Sequence, residues 1–525
     1  MAAAYLNAAL NRDGLKRADI ALVESPDVPR IGVGEATIPN INHLLAVVGL
    51  DEREFLQAVD GTFKQSIRYE NWLDNRGEHY HHPFSRFRVV PIDHSGINWL
   101  MSDRSIPFME TVSAQPLICE MGLAPHSLDP RQPGPRLTYA FHMNALKFAD
   151  YLRDFSTARG VTHHLEHVVD VEQHESGDIA AVTTRAGKRI EADLFIDCTG
   201  FRALLSEKTL GVPFEDCSQW LLCDRAVTMH VPYDEFYPGN VKPYTTATAL
   251  TNGWVWEIPL RSARSRGYVH SSAFIDKDAA EAELRAVEGP HAEGLDARFI
   301  DFRVGRRQRV WERNCIAIGL AGGFIEPLES TGLYLSDLAS VMLAEHFPFV
   351  DDFSGMAYRV NRVMANRFYE VLDFINMHYC LTRRRDTAFW REVGQADRVN
   401  DRLRAKLDFW RTKPPSPTDF EDQFLPGQSG ASIQMGAPQL DQRPAVDTAG
   451  LWNHESYEAI LYGMDYLAEE SRAWFGERRP ATRIRQRILD DLQLARRVLP
   501  RHDHFLQQVF GMPDYAAAAG DPVNR

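Results

Sequence analysis

Residues 2–24, AAAYLNAALNRDGLKRADIALVE, open on an alanine- and leucine-rich run and close on a short apolar stretch ending in Glu24. Alanine and leucine lead the helix-propensity scale, so residues 2–12 read as a helix, with no evident capping residue ahead of it. Residues 19–24 read as a buried parallel strand ending in an acid. A helix, then a strand, then an acid is the second half of a βαβ dinucleotide-binding unit, where the acid takes ribose hydroxyls. The first half, a strand and a GxGxxG loop, is missing from the chain and would precede Met1. The expectation is that the frame extends upstream, and that a protein starting at Met1 binds its dinucleotide poorly.

Further elements follow the same α/β pattern. Residues 190–200 (IEADLFIDCTG) read as a charged turn, a buried strand and a glycine stop. Residues 168–173 and 179–184 alternate around Ser176-Gly177-Asp178, as a hairpin would. Strand-like pieces recur over 244–259 and 298–311, and CIAIGL at 315–320 runs into Ala321-Gly322-Gly323. Beyond Gly332 the period turns helical, over 333–346 and 356–377. A Pro/Gly/Ser/Gln-rich stretch at 413–450 is the best linker or long loop, and 452–510 is again helical.

The 525 residues are 44% hydrophobic and 25% charged, ordinary for a water-soluble globular protein. A formal net charge of −14 argues against nucleic acid or an anionic membrane as partner. Six cysteines, at 119, 198, 217, 223, 315 and 380, form no CxxC pair and no zinc-type spacing, so reduced thiols, a cytoplasmic location and no metal site are expected. No apolar run approaches the ~20 residues that span a bilayer.

Four segments carry chemistry. Gly32-Val33-Gly34-Glu35-Ala36-Thr37-Ile38-Pro39 has small residues that let backbone approach a flat ligand or a phosphate, and would pass equally for a plain turn. Trp254-Val255-Trp256-Glu257-Ile258-Pro259 puts two indoles on one strand face, with Pro259 ending the pairing; a core aromatic ladder is the plainer alternative. Thr62-Phe63-Lys64 contains a lysine that by itself would be a surface group. Residues 319–332, GLAGGFIEPLESTG, run from a strand through glycines into a helix start, where free N–H groups suit an anion or a flavin ring; an ordinary capped loop would look the same.

In this order, GVGEAT, TFK, WVWEIP and GGFIEPLESTG resemble the flavin-dependent tryptophan halogenases, over residues 1 to about 467. The resemblance implies an FAD-binding Rossmann-like, three-layer fold of the flavin monooxygenase type, lacking its first strand and GxGxxG loop. It implies one module at 1–412, with a substrate-binding β region near 60–140 and 215–310, and a helical C-terminal substrate lid at 451–525. Reduced FAD from a separate flavin reductase, with oxygen, would oxidise chloride or bromide to hypohalous acid. That acid would pass through a tunnel to the substrate, an indole or another electron-rich ring.

By match to the family motifs, Thr331 and Gly332 would hold the halide, and Lys64 and Glu329 would be the catalytic pair. Desolvation disfavours a buried ammonium, so Lys64 could bind the oxidant or carry halogen as a haloamine, while Glu329 polarises it or removes the ring proton. Ser330 would sit between flavin and lysine. Glu24, Gly34, Glu35, Ala36, Val168, Leu320 and Leu333 would contact FAD. His82 and Phe84, from His81-His82-Pro83-Phe84, match the His-x-Phe pair that sandwiches the indole, and Trp452 matches the lid tryptophan. A solvent-exposed loop or a metal cluster is the competing view of His79, His81 and His82, and His163, His164 and His167 read as surface.

The lid departs from the family. Members acting on free tryptophan carry a tyrosine pair, a Glu, Phe-Trp and Asn to grip its charged ends; Gln439-Leu440-Asp441 and Leu451–Ser456 supply no tyrosine pair and put Ser456 at the asparagine. Burying two unpaired charges is costly, so an indole without the amino-acid end, another phenol or pyrrole, or tryptophan inside a peptide fits as well. A homodimer is left open. The competing functions are a flavin monooxygenase hydroxylating an aromatic ring and a catalytically impaired FAD-binding protein.

Overall fold

The computed structural model describes residues 1–87, 94–233, 240–348, 350, 352–416, 419, 451–467 and 482–513. Helix Ala2–Leu10 lacks a side-chain cap and is held by packing, Leu6 and Leu10 meeting Tyr334, Leu338 and Met342 of helix Gly332–Glu345. Strand Ala21–Glu24 pairs in parallel with Thr162–Leu165, which helix Ala145–Thr157 precedes. This is the expected βαβ direction, but the strand is not buried: Ala21 is exposed and the next three residues half-buried. Among the described residues it has one neighbour only, so one edge stays open. A second parallel pair joins Phe195–Asp197 to Cys315–Ala317, and the hairpin Val168–Gln173/Ile179–Thr184 forms as its alternation predicts.

A seven-stranded sheet carries the other half of the molecule. Its order is Arg298–Asp301, Arg225–Pro232, Ala263–His270, Gly253–Pro259, Thr245–Ala249, Ser66–Glu70, His79–Pro83. The WVWEIP segment lies near its centre, wholly buried, and Pro259 ends its ladder opposite Arg264. Trp254 and Trp256 share a face with ring centroids 6.3 Å apart. Trp256 lies flat over Gly267, where an added Cβ would come within 2.0 Å of the indole. The plainer reading, an aromatic core, therefore describes this pair: Trp72, Trp254 and Trp256 belong to the largest cluster, with Phe374, Trp390 and Trp410.

A small antiparallel sheet, Gly34–Ala36, Ala140–Asn144, Thr62–Lys64, joins the two halves. The Gly34 N–H donates to Ser265 Oγ at 3.0 Å, and a Cβ at Gly34 would fall 2.4 Å from the Ser265 Cβ. Close approach to the large sheet is thus one reason for a glycine there. The 27-residue helix Ser354–Cys380 crosses behind the Glu329 loop and fills the core with Phe368, Val371, Phe374 and Ile375.

Candidate active site

Lys64 ends strand Thr62–Lys64, every residue of which is buried. Thr62 Oγ donates to the Pro259 carbonyl at 2.6 Å, so it accepts from His142 Nδ1 at 2.8 Å; His142 Nε2 then accepts from Thr245 Oγ at 3.0 Å. The Phe63 N–H donates to His502 Nε2 at 3.3 Å, and His502 Nδ1 donates to the Val241 carbonyl at 2.8 Å. The strand is pinned from both sides by imidazoles of fixed tautomer. Burial holds both neutral, His502 near 4 and His142 well below the usual range.

The Lys64 side chain is 0% exposed. Its Nζ donates to the Thr37 carbonyl at 2.9 Å and to Ser330 Oγ at 2.8 Å, and lies 5.3 Å from the centroid of Phe84. Burial lowers its pKa to about 7, with the negative charge of Glu329 opposing the shift in part.

The loop after strand Cys315–Ala317 supplies the partners. Gly323, at φ 155°, lies so near strand Gly305–Arg307 that a Cβ would meet the Gly305 carbonyl at 2.7 Å. The turn Pro327–Glu329 ends at Ser330, whose φ of 59° is left-handed, and helix Gly332–Glu345 starts two residues on. That reversal lets Glu329 and Ser330 both face inward, Ser330 toward Lys64 and Glu329 into a cage. The Glu329 carboxylate, 1% exposed, accepts from Tyr69 Oη and from His82 Nδ1 at 3.1 Å, and lies 3.1 Å from His378 Nε2. Burial pushes this carboxyl up, but the two imidazoles outweigh it and hold it well below the ordinary carboxylate range. Thr331 Oγ1 is buried and has no hydrogen-bond partner among the described residues, and the space beside the exposed Gly332 is open. A buried, orphaned hydroxyl at a helix start fits an anion.

The proposed FAD contacts fall in two groups. Gly34, half-buried Glu35 and Ala36 form the edge strand beside the large sheet; half-buried Leu320 and Leu333 flank the Glu329 loop on the turn Gly319–Ala321 and the helix start. This apolar surface and the helix N-terminus suit a flavin ring. Burial raises the Glu35 carboxyl to about 7. Glu24 ends its strand as expected, where its carboxylate accepts from Arg30 Nε at 2.7 Å and His163 Nε2 at 3.1 Å. Val168 opens the next hairpin, one residue beyond His167, whose Nδ1 meets Ser25 Oγ at 2.8 Å. His163 and His167 are therefore not idle surface groups: they line the Glu24 turn.

His79, His81 and His82 lie on strand His79–Pro83, not in a loop, and no metal-binding group of His, Cys, Asp or Glu occurs among the described residues. His81 bonds Ser66 and Glu120, so of the three only His82 reaches Glu329. Trp452 stacks on Phe374, with centroids 4.1 Å apart and planes 12° from parallel; Phe374 in turn lies 5.7 Å from His82. Phe374 thus stands between His82 and Trp452. Phe84 lies apart from them, at Lys64. Residues 439–441 of the lid fall outside the described residues. Tyr69, Phe374 and His378 are additions that the motifs do not flag; the only sequence signal for the last two is their i, i+4 spacing on one helix face.

The tryptophan halogenase family profile matches residues 1–478. Tryptophan 7-halogenase RebH of Lentzea aerocolonigenes is 33% identical over 97% of this chain and 96% of its own length. The tryptophan halogenase structure from Shewanella frigidimarina NCIMB 400 superposes with a TM-score of 0.83 at 31% identity, covering 97% of this chain and 95% of that one. MibH, a lathipeptide tryptophan 5-halogenase, superposes with a TM-score of 0.79 at 29% identity, covering 99% and 94%. With the Lys64–Ser330–Glu329 arrangement on a flavoprotein-type α/β frame, these similarities place the chain in the tryptophan halogenase family: it is a flavin-dependent halogenase.

Proposed function

We propose that the chain halogenates an indole ring, using FAD reduced by a separate reductase and chloride or bromide taken at Thr331 and Gly332. Bound reduced FAD, with oxygen, supplies the oxidising equivalents that make the halide electrophilic. Gly34, Glu35, Ala36, Leu320 and Leu333 hold the ring, and Glu24 and Val168 serve its nucleotide end. Lys64, with a pKa near 7, presents an amine that donates to the oxidant or takes its halogen. Ser330 Oγ aims that amine. Glu329, anionic in a water-poor site, takes the proton from the ring carbon after attack. His82 and Phe84 face the ring, with Trp452 behind, stacked on Phe374.

The observation that carries this reading is the bond from Lys64 to Ser330 beside a caged Glu329, all three buried. An enzyme that transferred oxygen from flavin directly to its substrate would have no need of a buried lysine remote from the ring. The substrate is an indole lacking a free amino-acid end, the lid sequence offering no tyrosine pair to grip one. The test is mass spectrometry of an indole panel (free tryptophan, simple indoles, tryptophan within peptides) with FAD, reductase, NADH and each halide. Halogenated product from an indole is expected, and Lys64→Ala should abolish it while reduced-flavin oxidation continues. Hydroxylated products, or an active alanine variant, would reject the reading.

A further inference from the structure

His378 is fully buried on helix Ser354–Cys380, and its two ring nitrogens face different partners. Nδ1 lies 2.8 Å from the Phe374 carbonyl one turn back. A carbonyl only accepts, so Nδ1 carries a hydrogen. Nε2 lies 3.1 Å from Glu329 Oε1. Were His378 neutral, Nε2 would hold a lone pair beside a buried carboxylate oxygen, and the two would repel. The contact is at ion-pair distance and is not an aligned hydrogen bond, Nε2 having no hydrogen-bond partner among the described residues.

We infer that His378 is a positioning residue that acts through Glu329, its Nε2 set beside the carboxylate as an imidazolium and keeping it anionic and aimed for the ring proton. This rests on Glu329 being the base. The other groups facing the carboxylate are Tyr69 and His82, from the adjoining strands, with Lys64 and Tyr80 near enough to be felt electrostatically. Tyr69 is a neutral donor, and Lys64 is bonded to Thr37 and Ser330 instead. The Tyr69 ring, 4.8 Å from that of His378, closes the remaining side. His378 therefore adds, from the helix side, to what His82 supplies from the strand side.

The test is the pH profile of the ring-halogenation step in the FAD-loaded enzyme, for wild type, His378→Phe, His378→Gln and Glu329→Gln. Phenylalanine keeps the ring and removes the donor. Glutamine restores a neutral donor. Without the imidazolium the Glu329 carboxyl titrates higher, so the acid limb of His378→Phe should move to higher pH and kcat fall, with KM for the ring and reduced-flavin oxidation unchanged. His378→Gln should fall between, and it carries the test alone if the phenylalanine variant does not fold. A wild-type acid limb in either His378 variant, with Glu329→Gln impaired, overturns the role of His378 alone. A fully active Glu329→Gln removes the base itself, and the inference with it.

Discussion

Lys64 exchanges its water for two neutral oxygens, Thr37 O and Ser330 Oγ, inside a wall that includes the Phe84 ring. Unfolded, it would titrate near 10.5; folded, it titrates near 7. Between those values the unfolded chain binds the extra proton, so stability rises with pH across that window and the cost is greatest at and below pH 7. Each pKa unit is worth about 1.4 kcal/mol, so the strain is on the order of a few kcal/mol. Lys64→Met, similar in length and uncharged, should melt above wild type at pH 7, with the gap narrowing toward pH 10. Equal gaps at both pH values would mean that the lysine is charged in the fold. Lys64 and Glu329 were legible in the sequence because each stands in a contiguous motif. His378, which faces Glu329 as closely as His82 does, was not, because a lone histidine on an apolar helix face reads as core until its partner is known.

At the scale of elements, the 319–332 loop does what its composition predicts, with glycines at the backbone contacts and polar residues at the helix start. The sequence could not reveal that Ser330 takes the left-handed conformation, since that belongs to the turn and not to serine. Nor could it show that Thr331 Oγ1 would be left without a partner among the described residues. Thr331→Val keeps the shape and removes only that hydroxyl. A hydrogen bond to a charged group is worth about 1.5–3 kcal/mol, so the halide KM should rise about tenfold or more. FAD affinity should hold, because the helix start and its N–H groups stay. An unchanged halide KM would place the anion elsewhere. For the histidines near residue 80 the sequence leaves an exposed loop open as the competing view, and cross-strand pairing with Ser66–Glu70 decides against it, making them the last strand of the large sheet.

Over the whole molecule, the site draws on segments that no local pattern links: strands at 34–36 and 62–84, the loop at 319–332, the helix through Phe374 and His378, and Trp452. The helix His502–Phe510 packs against the lysine strand, with His502 seated between Phe63 and the Val241 carbonyl. One imidazole nitrogen donates and the other accepts, an arrangement that only the neutral ring can make. Its folded pKa, near 4, lies below the ordinary 6.5, so the unfolded state takes up the proton first. The His502 contribution to stability is therefore full above pH 6.5 and is lost as pH falls toward 4. Glutamine has one donor and one acceptor but does not titrate, so His502→Gln can keep both bonds without the acid sensitivity. Its melting temperature at pH 7 should sit near or modestly below wild type, and its decline between pH 6.5 and 4 should be shallower. Some decline should remain, because His142, neutral and buried on the other side of the same strand, must also be protonated on unfolding. Thermal denaturation of both proteins across that range decides it: parallel curves would show that the C-terminal helix does not hold the lysine strand through a neutral His502.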